Sequence, residues 1–78
     1  MAEPKTLTLD VRETPVWERH PKIFGILDNM TAGDTLVLTN DHDPRPLHYQ
    51  LMMERKDQFE WSSGEKGPHE WVATIKKR

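Results

Sequence analysis

The segment Thr6-Leu7-Thr8-Leu9-Asp10-Val11 alternates polar and apolar side chains, the period of a strand with one face buried. Leu7, Leu9 and Val11 belong to the buried face, and Thr14-Pro15 ends the strand before a loop that runs to about Arg19. From there the period changes. Ile23, Ile26, Leu27 and Met30 recur at helical spacing and make one apolar stripe. Proline favours the first helical position, where its missing N–H has no intrahelical partner, so Pro21 marks the expected start and His20 the N-cap. Gly33 reads as the stop signal.

Asp34 to Asn40 returns to β-branched and apolar residues and reads as a second strand. A strand, a helix and a strand at this spacing form a βαβ unit, which makes the two strands parallel. The polar cluster 40–46 then contains Asp43-Pro44, an N-cap followed by proline, opening a second helix over about Pro44 to Arg55 with Leu47 and Leu51 inward. Gln58–Ser62 and Glu70–Lys76 read as two further strands joined by the turn-rich segment Ser63 to Pro68. The expected architecture is an α/β, or α+β two-layer, sandwich in β-α-β-α-β-β order. Its four-stranded mixed sheet carries both helices on one face. One domain spans residues 1–78, with an ordered core over about 6–76.

Seventy-eight residues bury little core, so such a chain holds only about 3–5 kcal/mol of net stability. There is no cysteine to staple it, to bind metal through sulfur or to serve as a thiol nucleophile. Eleven basic against thirteen acidic residues give a formal charge of −2, the wrong sign for nucleic acid. Lys76-Lys77-Arg78 reads as a solvated tail. No apolar run approaches the roughly 18 residues of a membrane span, and Met1 to Thr6 has no signal-peptide core. A cytoplasmic protein is the expectation.

Three segments, Leu9-Asp10-Val11-Arg12-Glu13, Arg19-His20-Pro21-Lys22-Ile23-Phe24 and Asn40 through Leu47, resemble the bacterial family catalogued as domain of unknown function 2249. That family is in turn similar to the TusA/SirA-like sulfur-relay proteins. Those open their first helix with Cys-Pro, where this chain has His20-Pro21, and their second with Asp-Pro, matched by Asp43-Pro44. The resemblance implies the fold and a working edge at the two helix openings. It also suggests an association with hemerythrin-like or other redox partners in respiratory or nitrogen-oxide metabolism. An imidazole cannot carry a persulfide as a thiolate does, so cysteine-dependent sulfur transfer is excluded.

Ligands of open α/β sheets bind beyond the carboxyl ends of parallel strands. The loop after the first strand leads to Arg19 and His20, and the loop after the second carries Asp41, His42, Asp43 and, just beyond, Arg45. Parallel strands bring both loops to one edge, so His20 and His42 are expected as neighbours. Two imidazoles with nearby carboxylates suit a divalent metal, and a haem-type cofactor or a redox protein is the related use. Arg19 and Arg45 beside two helix N-termini suit an anion instead.

The first reading is therefore a non-enzymatic binding or carrier module working through His20 and His42. The second is a histidine-dependent enzyme on a small anion, with His20 as base or nucleophile and Arg19 as clamp. A third is a protein–protein adaptor using the open sheet face or the hairpin tryptophans Trp61 and Trp71, with a homodimer among its forms. Each residue has a plainer reading: Asp43 as a helix cap, His42 in a turn, His48 at a rim, and the methionines as core filler.

Overall fold

The computed structural model describes residues 3–78. Its elements follow the expected order: β1 (Thr6–Asp10), α1 (Val16–Asp28), β2 (Thr35–Asn40), α2 (Arg45–Glu54), β3 (Phe59–Gly67) and β4 (Glu70–Lys77). The sheet order is β1-β2-β4-β3. β1 runs parallel to β2, with Leu7 beside Leu36 and Leu9 beside Leu38. β4 is antiparallel to both its neighbours, setting Ile75 beside Leu36 on one side and Trp61 on the other. The mixed four-stranded sheet is thus the one its alternating pattern calls for.

One face of the sheet holds the core. Leu36, Leu38, Ala73, Ile75 and Phe59 are buried against Ile23 and Leu27 of α1 and Leu47 and Leu51 of α2, so both helices lie on that side. Because side chains alternate along a strand, Thr8, Val37, Thr74 and Ser62 form a row across the opposite face. Short hydroxyl-bearing and β-branched residues clothe it without a second layer. Trp61 and Trp71 fall on the helix-covered face, in register with Ile75 and Asn40, and both are half-buried. They offer no aromatic surface on the open face.

Three boundaries differ from expectation. The first helix starts at Val16, five residues before Pro21, with Pro15 as its N-cap. Its opening turn is tightened by the Glu18 N–H donating to the Pro15 carbonyl at 2.9 Å. Pro21 therefore lies inside the helix, and His20 stands in its second turn and not at the N-cap. Pro44 is the N-cap of α2 and Pro46 lies in its first turn, where a missing N–H costs nothing. The hairpin turn is shorter than the glycines suggested: β3 extends to Gly67, with a register shift between Glu65 and Gly67. Gly33, at φ +94°, does mark the return to the sheet, and its N–H donates to the Lys77 carbonyl at 2.8 Å.

Candidate functional site

The carboxyl ends of β1 and β2 meet α1 through Arg19. This side chain is buried, 6% exposed, and every branch of its guanidinium is engaged. Nε donates to the Thr14 carbonyl at 2.8 Å and Nη2 to the Arg12 carbonyl at 3.2 Å, which fixes the loop after β1. Nη1 donates to Asn40 Oδ1 at 3.0 Å and to Asp41 Oδ1 at 2.9 Å, and Nη2 reaches Asp41 Oδ2 at 3.2 Å. A planar fork with several donors is the side chain best suited to bind two loops and a carboxylate at once. Asn40, itself buried, also accepts the Asp41 N–H at 2.8 Å.

Asp41 passes this order outward. The Arg19 guanidinium, and after it the His42 ring, hold its carboxyl far below the usual carboxylate range. An ionised carboxylate only accepts hydrogen bonds, so His42 Nδ1, at 2.7 Å from Asp41 Oδ1, is the donor. In the neutral ring this leaves the lone pair on Nε2. The His42 side chain is 58% exposed. A buried arginine thus holds a carboxylate, and the carboxylate orients an exposed imidazole, the arrangement that fixes the tautomer of metal-binding histidines.

His20 belongs to a different cluster. One position beyond Arg19 on the helix, it turns toward α2, where its Nδ1 lies 2.8 Å from Gln50 Oε1. Gln50 Nε2 donates to Glu54 Oε2 at 2.7 Å, so the amide oxygen is the acceptor and His20 the donor. Asp43 and Arg45 form a third, local group. Asp43 Oδ1 accepts the Arg45 N–H at 3.0 Å, and Oδ2 pairs with Arg45 Nε at 2.8 Å. Asp43 thereby orders the entry to α2 from the position before the N-cap.

The structure brings Arg19, Asp41 and His42 into one connected group and gives His20 and Asp43–Arg45 partners of their own. Among the described residues, no three or more His, Asp or Glu side chains are grouped so as to hold a metal ion. The site therefore offers single imidazole Nε2 positions and no closed cage. Arg19 also has no direction left in which to clamp an anion. Sequence reasoning missed Asn40 and Gln50. Asn40 ends a strand whose even-numbered residues face the core, so its burial was readable from the alternation. Gln50 follows only from how α1 and α2 pack.

The two helices also carry large exposed apolar side chains. Val16 is 66% exposed, Trp17 79%, Tyr49 70% and Met53 67%. Trp17 lies one turn before His20, and Met53 one turn beyond Tyr49 and Gln50. His48 stacks on Trp61, ring centroids 4.6 Å apart and planes nearly parallel, which accounts for its place at the helix–sheet rim.

No curated protein and no solved structure matches the chain. A family model does match residues 8–77, from the middle of β1 to the end of β4, and so takes in all three segments that form this edge. The chain belongs to the family described as "Uncharacterized conserved protein (DUF2249)".

Proposed function

We propose that the protein is a small non-enzymatic binding module that presents His42 Nε2 to the metal centre or haem of a redox partner. The observation that carries this reading is the chain Arg19–Asp41–His42, in which a buried guanidinium fixes a carboxylate and the carboxylate fixes an exposed ring. A ring held this way carries its proton on Nδ1 when it is neutral and leaves the Nε2 lone pair free, which is what a single metal ligand requires. His20, whose Nδ1 is tied to Gln50, presents its own Nε2 under the same logic. Trp17, Tyr49 and Met53 supply apolar contact of the kind that anchors protein interfaces.

The resemblance to the sulfur-relay fold supports the choice of edge, and the absence of cysteine separates this chain from that chemistry. Redox-linked respiratory or nitrogen-oxide metabolism is the setting this reading favours. An enzyme acting on a small anion is the weaker reading, because Arg19 is spent within the fold.

The test is a titration of the purified protein with zinc, ferrous iron, cupric ion and haemin, followed by NMR of the histidine side chains. Selective perturbation of His42 that disappears in His42→Ala and weakens in Asp41→Asn is the expected result. Titrations that leave both the His42 and His20 rings unperturbed contradict the proposal.

A further inference from the structure

β3 is an edge of the sheet, paired with β4 on one side only. Its outward backbone groups can be identified. Arg78 N–H donates to the Gln58 carbonyl, which makes 58 and 78 a hydrogen-bonded pair. In an antiparallel ladder such pairs alternate, so residues 60, 62 and 64 turn their backbone groups toward β4. Phe59, Trp61, Ser63 and Glu65 therefore turn theirs away from it. The long edge strand is unpaired, and strands of this kind invite pairing with another strand.

The charges along β3 select the partner. Two identical antiparallel strands related by a two-fold axis perpendicular to the sheet must be centred on a residue, which pairs with its own copy. Of the registers this allows, the one that overlaps the whole of Phe59–Gly67 is centred on Ser63. That register sets Glu60 opposite Lys66 of the second copy, twice, and Trp61 opposite Glu65, with no like charges facing. Registers centred on Glu60, Glu65 or Lys66 place like charges face to face. Glu60 alternates in phase with Ser62 on the open face, and this pairing sets Lys66 of the second copy beside it there.

We propose that β3 is a self-association edge, pairing antiparallel with β3 of a second copy about Ser63. The partner is this chain itself, and two four-stranded sheets become one of eight. The register shift between Glu65 and Gly67 falls at Lys66, so the two Glu60–Lys66 pairs close the ends of the ladder. Association through β3 is pairwise, since both β3 edges are consumed in the dimer, and the shorter β1 is left as the outer edge on each side. The inference is independent of His42, which lies at the carboxyl end of β2.

Sedimentation velocity on the full chain over a range of concentrations tests it, with four variants whose fold is checked by circular dichroism. The wild type is expected to dimerise. Lys66→Glu puts carboxylates opposite one another at both sites and is expected to raise the dimer dissociation constant about tenfold. Glu60→Lys does the same with ammonium groups, and the double swap Glu60→Lys/Lys66→Glu restores the wild-type constant. Ser63→Pro removes an outward N–H that the monomer does not use, so it is expected to leave the fold intact and abolish the dimer. A wild type that stays monomeric at all concentrations overturns the proposal. So does a dimer that Lys66→Glu and Ser63→Pro leave unchanged.

Discussion

At Arg19 a single guanidinium donates to two backbone carbonyls, an amide oxygen and a carboxylate, and so ties the loop after β1 to the end of β2. A lysine cannot reproduce that fork. Arg19→Lys is expected to lower stability by roughly 2–3 kcal/mol, read from the midpoint of urea unfolding, because buried acceptors lose their donors. An unchanged midpoint would mean that the loops hold themselves in place. Carboxylates supply a second effect at this scale. Asp10 is held below its ordinary pKa by Arg12, Asp28 by Arg55, Asp34 by the backbone N–H of Lys5 and of Thr31, and Asp41 by Arg19 and His42. Each group binds protons more readily in the unfolded chain than in the folded one. Their contribution is complete above the ordinary carboxylate range and is lost as pH falls through the depressed folded values, over roughly pH 5 to 1. Urea unfolding at a series of pH values should show stability falling steadily below about pH 5. Asp34→Asn should make that dependence shallower, and a stability that rises on acidification would contradict the assignment.

Among the elements, α1 shows where sequence signals compete. Pro21 reads as a helix opener, yet the helix opens at Pro15 and carries Pro21 in its second turn. The N–H that proline lacks there would have met the Trp17 carbonyl. Arg19 favours the earlier start, because its bonds to Thr14, Asn40 and Asp41 anchor this first stretch of the helix to the loop after β1 and to the end of β2. No local rule foresees that, since Arg19 is charged and its partners are distant in sequence. The two locations for the helix start predict different mutants. If Pro21 is interior, Pro21→Ala stabilises the protein by about 1–2 kcal/mol, the recovered helix energy offset by the freer unfolded chain. If Pro21 were the first helical residue, the same change would be neutral or harmful. The strands were easier to read, because alternation assigns Leu7 and Leu9 to the buried face of β1 and the apolar content of 34–40 marks β2. The hairpin was not: Ser63 to Pro68 read as a turn, whereas the ladder with β4 keeps the chain extended to Gly67.

For the whole molecule, one small core does nearly all the stabilising work, in a chain of 78 residues without disulfides. Leu38→Ala, which empties space between sheet and helices, is expected to cost about 2–5 kcal/mol. That approaches the entire stability of a domain this size, so calorimetry should find the variant largely unfolded at room temperature. A two-layer molecule of this kind leaves its working surfaces at the periphery: the strand ends that carry His42, the helix faces that carry Trp17 and Tyr49, and the β3 edge. Parallel pairing of β1 and β2 was readable from spacing, and it does bring Arg19 and Asp41 together across 22 positions. Side-chain direction was not readable, and it gives His20 a partner on α2, Gln50, while His42 is held by Asp41.

¹⁵N NMR of the histidine side chains reads directly whether Asp41 fixes the His42 ring. At a pH where the ring is neutral, His42 should carry its proton on Nδ1, and Asp41→Asn should release it to a mixture of tautomers. A His42 protonated on Nε2, or indifferent to the Asp41 substitution, would contradict the account.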